Sequence, residues 1–343
     1  EPHRFNGIDQ IAFSRDVTEL FVASHRVGNL SLLGRRPTTF WIECWNTADW
    51  RETYRLDDFA APLTLVGQDR IAALPVSRSL AGPPFGRIGT VGLATVPEES
   101  VTRSFELESG YVSGLALSPD GQSLVVCSVQ QGATVHPDRE GCITSWGING
   151  RQLWKVCRER GQCSSIVFAR DGSTVIAAGP GGVAAWEADT GNLVWEHDDH
   201  PNWIESLAVS PDGRHLITGS YGDPSAGLGL FGSVDAVVRI RNVVDGSPVR
   251  TVTLDRQGVI RPLDLAICSE SRHVAVALGS YNRGQKWGEI RIVAIQTGEV
   301  RATLLQDHPQ PVTAVAFSPD GRYLAAGTAD GYVRIWRMVQ DGG

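Results

Sequence analysis

The chain has 343 residues, of which 42% are hydrophobic, and its 31 Lys and Arg against 38 Asp and Glu give a formal net charge of −7. This acidic balance argues against general nucleic-acid binding, which requires a basic surface. No apolar run in the sequence reaches the roughly 18 residues that a membrane-spanning helix needs, so a membrane partner is not expected either. The 38 glycines and the scarcity of helix-forming runs favour many short strands joined by tight turns.

One phrase recurs along the chain: a short apolar strand followed by a turn around an acidic residue. The clearest copies are residues 115–121, 207–213 and 314–321, each ending in Ser-Pro-Asp-Gly. Aligned on the acidic position, seven copies are anchored at residues 16, 69, 120, 171, 212, 270 and 320. The copies cover essentially the whole chain, so we expect one repeat domain over residues 1–343 rather than two domains.

Each copy has the same internal order. Pro and Gly in Ser-Pro-Asp-Gly suit a tight turn, because Pro fixes φ and Gly accepts a positive φ. A second strand follows, then a loop, then a third strand that ends in an aromatic residue such as Trp336. A fourth strand follows a turn such as residues 189–192. Four strands in each of seven repeats predict an all-β fold, a seven-bladed β-propeller with four-stranded antiparallel blades.

On these motifs the chain resembles the WD-repeat family of β-propellers. In that family a His, a Ser or Thr, an Asp and a Trp form a hydrogen-bonded tetrad within a blade, and the last repeat matches it with His308, Thr328, Asp330 and Trp336. The resemblance implies the same Trp position for Trp45, Trp146 and Trp186. The fifth repeat keeps His200, Ser220 and Asp235 but has Arg241 in place of the Trp.

The last repeat supplies only three strands, while residues 1–5 precede the first repeat. We therefore expect residues 1–5 to pair as the outermost strand of the last blade and to close the ring, as is common in this family. The chain begins at Glu1 rather than at Met, which favours a processed protein or a domain of a larger chain.

The six cysteines include no C-x-x-C pair and are too sparse for a disulfide scaffold. Cys127 and Cys142 flank one loop, and Cys157 and Cys163 flank another, so pairs facing across neighbouring strands are one alternative. We favour the other, that all six are buried reduced thiols.

Candidate binding residues lie in enlarged loops. The loop from the second to the third strand and the loop from one blade to the next lie at one end of the propeller, which we call the top face. Five repeats enlarge the first of these loops with aromatic and arginine residues, the types enriched in interface hot spots. The candidates are Arg35, Arg36, Phe85, Tyr221, Phe231, Tyr281, Arg283 and Trp287. The alternative is that long loops are tolerated there without a function.

A second candidate cluster precedes the apolar core of each innermost strand, at the mouth of the central channel. We expect Asp9, Glu205 and Asp264 to converge there on one basic group, such as an Arg or Lys of a bound peptide. A solvated polar rim is the competing interpretation.

Catalytic motifs are absent from the sequence, and no cofactor is expected. Residues 197–200, His-Asp-Asp-His, resemble a metal tract, but His200 aligns with the tetrad position of His308, so no metal is predicted. We predict a non-catalytic scaffold that binds a protein or peptide on the top face, as a cytoplasmic monomer or a domain of a larger chain. The alternative is an enzyme, because residues 149–154 and 189–195 resemble the outer-strand phrase of quinone-cofactor dehydrogenase propellers.

Overall fold

The computed structural model describes residues 5–27, 38–57, 59–66, 70–75, 88–95, 100–129, 141–158, 163–180, 182–200, 203–221, 236–254, 261–282 and 285–338. The regular secondary structure of these residues is β-strand with antiparallel pairing throughout, which confirms the predicted all-β class. Within these ranges no helix is long and apolar enough to cross a bilayer.

The strands form sheets in chain order. The first sheet contains β1 (Phe5–Phe13), β2 (Glu19–Val27), β3 (Thr38–Asn46) and β4 (Glu52–Asp57). The second contains β5 (Phe59–Val66), β6 (Arg70–Pro75), β7 (Ile88–Thr95), β8 (Ser100–Leu117), β9 (Ser123–Val129), β10 (Gly141–Gly147) and β11 (Gln152–Arg158). The third contains β12 (Ser165–Phe168), β13 (Thr174–Gly179), β14 (Gly182–Glu187) and β15 (Leu193–His197). The fourth contains β16 (Ile204–Val209), β17 (His215–Tyr221), β18 (Ala236–Asn242) and β19 (Pro248–Leu254). The fifth contains β20 (Arg261–Ile267), β21 (His273–Asn282), β22 (Gln285–Ala294) and β23 (Val300–His308). The sixth contains β24 (Val312–Phe317), β25 (Tyr323–Thr328) and β26 (Val333–Arg337).

The described strands therefore make six blades, and the prediction of seven separate blades is wrong on this count. The reason is β8, which runs without a break for 18 residues. Its first part pairs with β7, and its last part, from Tyr111 to Leu117, pairs with β9. The second and third repeats consequently share one seven-stranded sheet.

The first strand of each repeat packs against the first strand of the next. This order runs through β1, β5, the last part of β8, β12, β16, β20 and β24, and β24 also packs against β1. Ile8 and Ile11 of β1 join Ala314 and Ala325 of the sixth sheet in one buried cluster, so the first and last sheets are in direct contact. Sheets arranged face to face in this way, with apolar clusters between them, form a β-propeller.

The predicted closing strand is not supported where it can be checked. Phe5 belongs to β1 and pairs with Val27 of β2, not with β26. Residues 1–4 lie outside the described residues. Among the described strands, the sixth sheet has three members and its outer edge is β26.

The Ser-Pro-Asp-Gly turn forms as predicted. In the third repeat, Ser118 Oγ donates to Asp120 Oδ1 at 2.5 Å and accepts the Ser123 amide at 2.9 Å. Asp120 Oδ1 also accepts the Gln122 amide at 3.0 Å, and Gly121 has the positive φ of 72° that glycine tolerates best. The hydrogen bond from Ser118 is the main reason that the pKa of Asp120 is lowered. The same serine-to-aspartate bond recurs at Ser14, Ser210 and Ser318.

Candidate partner-binding face

Most of the predicted top-face residues lie outside the described residues. These are Arg35, Arg36, Phe85, Phe231 and Arg283. Tyr221 is the last residue of β17, and Tyr281 lies in β21, and the structure describes the backbone of both. Trp287 lies in β22 and is half-buried against the apolar cluster between the fourth and fifth sheets.

The hairpin of β21 and β22 reaches the top face through two long strands. Each strand has 10 residues, against 7 in β17 and β18. The bottom ends of the two hairpins align, because His215 and His273 each stand five residues after the start of the preceding turn. β21 therefore continues as a regular strand for three residues, or about 10 Å, past the level at which strand β17 ends. Residues 222–235, which connect β17 to β18, lie outside the described residues.

The base of this hairpin is fixed. A Cβ atom at Gly288 would overlap the Gln310 carbonyl and the Val312 amide, so only glycine allows the strand to approach this connection. Lys286 is exposed and pairs in register with Tyr281, and Asn282 pairs with Gln285 at the tip. The two strands thus remain regularly paired as far as Asn282 and Gln285.

The three channel-mouth carboxylates have different partners within the fold. Asp9 pairs with His25 Nδ1 at 2.8 Å, and Glu205 pairs with Arg261. Asp264 accepts the amides of Leu265 and Val315 at 2.8 and 2.9 Å.

Two of these side chains, His25 and Asp264, have a shifted pKa. The hydrogen bond that His25 donates to the Asp9 carboxylate raises the pKa of His25, against the opposing effect of burial. Burial raises the pKa of Asp264 to about 6, although the two amides favour its carboxylate. Each carboxylate therefore has a partner within the fold, and the convergence of the three on a basic group of a bound peptide stays a prediction.

The neighbouring polar residues tie one repeat to the next. Ser113 Oγ donates to the Cys163 carbonyl, and Ser164 Oγ to the Ile204 carbonyl. Thr313 Oγ1 donates to the Ile8 carbonyl at 2.5 Å, and so connects the last sheet to the first. In each case the acceptor lies at or next to the first strand of the following repeat.

Strand irregularities explain this direction. The register of β8 shifts by one residue at Ser113 and that of β24 at Thr313, and β1 and β16 have the same β-bulge at Asp9 and Glu205. The extra residue at such a bulge is turned out of the regular alternation. A short hydroxyl side chain in the sequence does not by itself indicate where its acceptor lies.

In the last repeat, two of the four predicted tetrad residues, Thr328 and Asp330, are hydrogen-bonded to each other. Thr328 Oγ1 donates to Asp330 Oδ1 at 2.5 Å, while His308 Nδ1 lies 3.0 Å from the Gln310 carbonyl. Trp336 is half-buried in the cluster between the fifth and sixth sheets.

The fifth repeat has a more complete network. His200 Nδ1 lies 2.9 Å from Ser220 Oγ, and its Nε2 lies 2.8 Å from Thr218 Oγ1. Burial, with the charges of Arg241 and Arg239, lowers the pKa of His200 to about 3, so the ring is neutral at physiological pH. His200 therefore occupies the tetrad position predicted for it and is hydrogen-bonded to Ser220 of the second strand.

Arg241 replaces the family's Trp with a different interaction. Its side chain is completely buried, and it donates to the Gly246 carbonyl at 3.1 Å and pairs with Asp199. Arg239 pairs with the same carboxylate at 3.2 Å. Burial opposes ionisation of Asp199, but the bond and charge of Arg241 outweigh it and lower the pKa. Sequence reasoning missed this role of Asp199, although the Arg at a Trp position is a signal that a buried anion must be near.

Four of the six cysteines form disulfides, so the prediction of six reduced thiols is wrong. Cys142 and Cys157 are directly opposed on β10 and β11 and are bonded at 2.00 Å. Cys127 of β9 is bonded to Cys163, which stands before β12, and so links the second sheet to the third. Cys44 and Cys268 are free.

The outer-strand phrase that suggested a quinone enzyme has a packing role here. A Cβ atom at Gly191 would lie 2.8 Å from the Trp154 ring of the preceding sheet, and Trp154 Nε1 donates to the Ala188 carbonyl at 2.6 Å. Gly246 and Trp195 make the same type of contact one sheet further on. Across the described ranges, no three His, Cys, Asp or Glu side chains are grouped as metal ligands.

Antiparallel sheets that pack face to face in chain order, four of them with a Ser-Asp turn, define a repeat β-propeller. The profile of the family described as WD domain, G-beta repeat matches residues 191–225 and 298–337. The matched repeats and the similarity to WD repeat-containing proteins support a WD-repeat β-propeller family.

The chain is similar in sequence to several curated proteins, two of which are 30% identical to it over the matched residues. WD repeat-containing protein SL1-17 of Schistosoma mansoni is 30% identical over 160 residues, which is 47% of this chain and 44% of that protein. COMPASS component SWD3 of Saccharomyces cerevisiae is 30% identical over 232 residues, 65% of this chain and 63% of that protein. Nuclear distribution protein PAC1 of Coccidioides posadasii is 24% identical over 169 residues, 46% of this chain and 33% of that protein. The chain thus spans less than half the length of the first and third of these.

Proposed function

We propose that the chain is a non-catalytic scaffold, folded as a single propeller domain over residues 1–343, that binds a protein or a peptide on its top face. The observation that carries this proposal is the β21–β22 hairpin, whose strands stay regularly paired as far as Asn282 and Gln285 and place exposed Lys286 in register with Tyr281. A regular hairpin with a fixed base loses little freedom on binding, which favours affinity. The name of the yeast relative, COMPASS component, places that relative in an assembly and agrees with such a role.

The same surface would include the other top-face candidates. Tyr221 and Trp287 lie at the ends of strands that reach this face. Arg35, Arg36, Phe85, Phe231 and Arg283 are proposed with them from their residue types and their place in the repeat.

We assign the channel-mouth residues a supporting role. Asp9, Glu205 and Asp264 each bond within the fold, so their contribution is to hold the sheets beneath the face in position. Binding then depends on the loops and hairpins above them.

The proposed scaffold acts on its own or within a larger chain, without nucleic acid, membrane or cofactor. A cytoplasmic location was expected from the sequence, but two disulfides favour an oxidising compartment, because cytosolic thiols are kept reduced. We therefore propose an oxidising location instead.

The test is selection of phage-displayed peptides on the 343-residue chain, with binding then measured on two variants. In the first, residues 281–286 are replaced by Asn-Gly, a two-residue hairpin turn that joins the paired residues Ser280 and Trp287. In the control, Arg151→Glu changes an exposed turn at the opposite end of the propeller.

The selected peptides should bind the shortened variant at least about tenfold more weakly, in keeping with the loss of a hot spot. They should bind the control as they bind the wild type, and both variants should melt as folded proteins. Peptides that bind the shortened variant as tightly as the wild type would contradict the proposal.

A further inference from the structure

The two disulfides of the chain differ in how closely solvent approaches them. Cys127 and Cys163 are both buried, and they lie in the apolar cluster between the second and third sheets. Cys142 is also buried, but its partner Cys157 is exposed on β11. A dissolved reagent can therefore approach one member of the second pair, whereas both members of the first pair are covered.

The pattern of β11 explains the exposure of Cys157. β11 is the end strand of its sheet, and its residues alternate between a packed face and an open face. Trp154 and Val156 contact the apolar cluster between the second and third sheets, whereas Lys155 and Cys157 are exposed. Cys142 stands directly opposite Cys157 on β10, the next strand inward, which begins with five buried residues. The bond thus joins an exposed cysteine to a covered one.

This difference determines how the bond exchanges with a thiol. A thiolate attacks the sulfur that it can reach, so a new S–S bond forms at Cys157 Sγ and the Cys142–Cys157 bond breaks. Cys142 leaves as a thiolate and takes a proton from water. The reverse step needs no oxidant, because the Cys142 thiolate attacks Cys157 Sγ from directly opposite and expels the small thiol.

The charge beside Cys157 favours an anionic reagent. Lys155 lies two residues earlier on the same face of β11, about 7 Å away along the strand. The charge of the following residue, Arg158, is offset by its pair with Glu196 at 2.6 Å. Because the attacking thiolate is an anion, a cation near the target sulfur raises the local concentration of the reagent. Lys155 is therefore the residue whose substitution tests this effect.

We propose that Cys157 is a site of reversible S-thiolation by a small anionic thiol, with Cys142 as the resolving cysteine. The exchange opens the Cys142–Cys157 bond in the folded chain, while the buried Cys127–Cys163 bond continues to join the second sheet to the third. The opened bond links residues 15 positions apart on paired strands, so its loss loosens β10 and β11 without unfolding the propeller. The site does not depend on the proposed binding function.

The first experiment follows both disulfides of the folded 343-residue chain during incubation with reduced glutathione. Samples are quenched with N-ethylmaleimide in guanidinium chloride, and the modified cysteines are identified by peptide mass spectrometry. Early samples should carry glutathione on Cys157 and N-ethylmaleimide on Cys142. The Cys142–Cys157 bond should open at least about tenfold faster than Cys127–Cys163. In the control, incubation of the unfolded chain should open both bonds at similar rates, because unfolding removes the difference in exposure.

Charge variants separate attraction of the reagent from damage to the strand. Lys155→Glu should slow exchange with glutathione by about threefold or more. It should leave exchange with cysteamine, whose ammonium balances its thiolate, within about twofold of the wild type. The matched control is Arg151→Glu, the same charge change at an exposed position about 20 Å from Cys157, which is beyond the Debye length of about 8 Å. The control should change neither rate by more than about twofold.

A chain opened only at Cys142–Cys157 should keep one cooperative melt. Its Tm should fall by about 4 °C, as expected for the loss of a 15-residue loop closure in a chain of this length. The double variant Cys142→Ser with Cys157→Ser should melt at the same lowered temperature and take up no glutathione.

The proposal fails if both bonds open at equal rates in the folded chain, or if glutathione is found on Cys142 instead of Cys157. An unchanged glutathione rate in Lys155→Glu, or equal slowing of glutathione and cysteamine, would overturn the preference for an anionic thiol.

Discussion

The pairing of Arg241 with Asp199 allows a sharp test of how this propeller tolerates an Arg at a Trp position. Arg241 is completely buried, whereas the side chain of Asp199 is 38% exposed. Substituting Asp199→Ala removes the counter-charge and leaves a buried guanidinium, a change that costs about 3–5 kcal/mol in typical buried pairs. Because Asp199 is partly exposed and Arg241 keeps the Gly246 carbonyl, we expect the lower end, about 3 kcal/mol.

This free energy converts to a change in Tm. The entropy of unfolding is roughly 2.1 cal/mol/K per residue, or about 0.7 kcal/mol/K for a chain of this length. Asp199→Ala should therefore lower Tm by about 4 °C in a calorimetric or circular dichroism melt. The matched control is Asp49→Ala, which breaks an exposed contact of 3.9 Å with Arg51 and should change Tm by less than about 1 °C.

A double-mutant cycle separates the pair from its surroundings. In a chain that carries Arg241→Trp, the residue of the other repeats, Asp199→Ala no longer strands a buried charge. Its effect on Tm should then fall to about 1 °C. A loss as large in the Arg241→Trp background as in the wild type, or a negligible effect of Asp199→Ala alone, would refute the reasoning.

Three other features of the structure, His200, the cysteines and the bond between the last and first sheets, can be tested in the same way. The fold lowers the pKa of His200 to about 3, so neutral His200 stabilises the folded chain above the ordinary pKa of 6.5, and this stabilisation is lost as the pH falls towards 3. Tm should therefore fall more steeply with acid in the wild type than in His200→Gln. Parallel pH profiles of the two proteins would contradict this. Thiol titration of the unfolded, unreduced chain should count the two free cysteines, Cys44 and Cys268, and a count of six would contradict the two disulfides. Thr313→Val removes a hydrogen bond between the last and first sheets, worth about 1 kcal/mol, and should lower Tm by about 1–2 °C. Thr297→Val on an exposed turn should leave Tm unchanged, and equal effects of the two substitutions would argue against the inter-sheet bond.

The features that could be predicted from the sequence are those set by neighbours in the chain. The Ser-Pro-Asp-Gly turn is one, because every bond in it joins residues no more than five positions apart. Gly121 at a positive φ is another, since no other residue adopts that conformation as easily. Recurrence of these local signals identified the propeller class and the family.

The disulfides and the inter-sheet bonds could not be predicted in the same way. Cys127 and Cys163 are 36 residues apart, and Thr313 and Ile8 are 305 residues apart. Several pairings were compatible with the same cysteines, and a hydroxyl before an innermost strand fits a channel rim as well as an inter-sheet bond. Only the bulges that turn these side chains towards the next repeat select the acceptor.

Sequence alone thus determined the strand pattern, the turns and the repeat, because each depends on backbone preferences and on apolar alternation within a few residues. Tertiary structure decided the rest. It merged two repeats into one sheet through the continuous strand β8 and gave each channel-mouth carboxylate its own partner. These outcomes depend on which surfaces meet when the sheets pack, and that geometry is fixed by the whole ring.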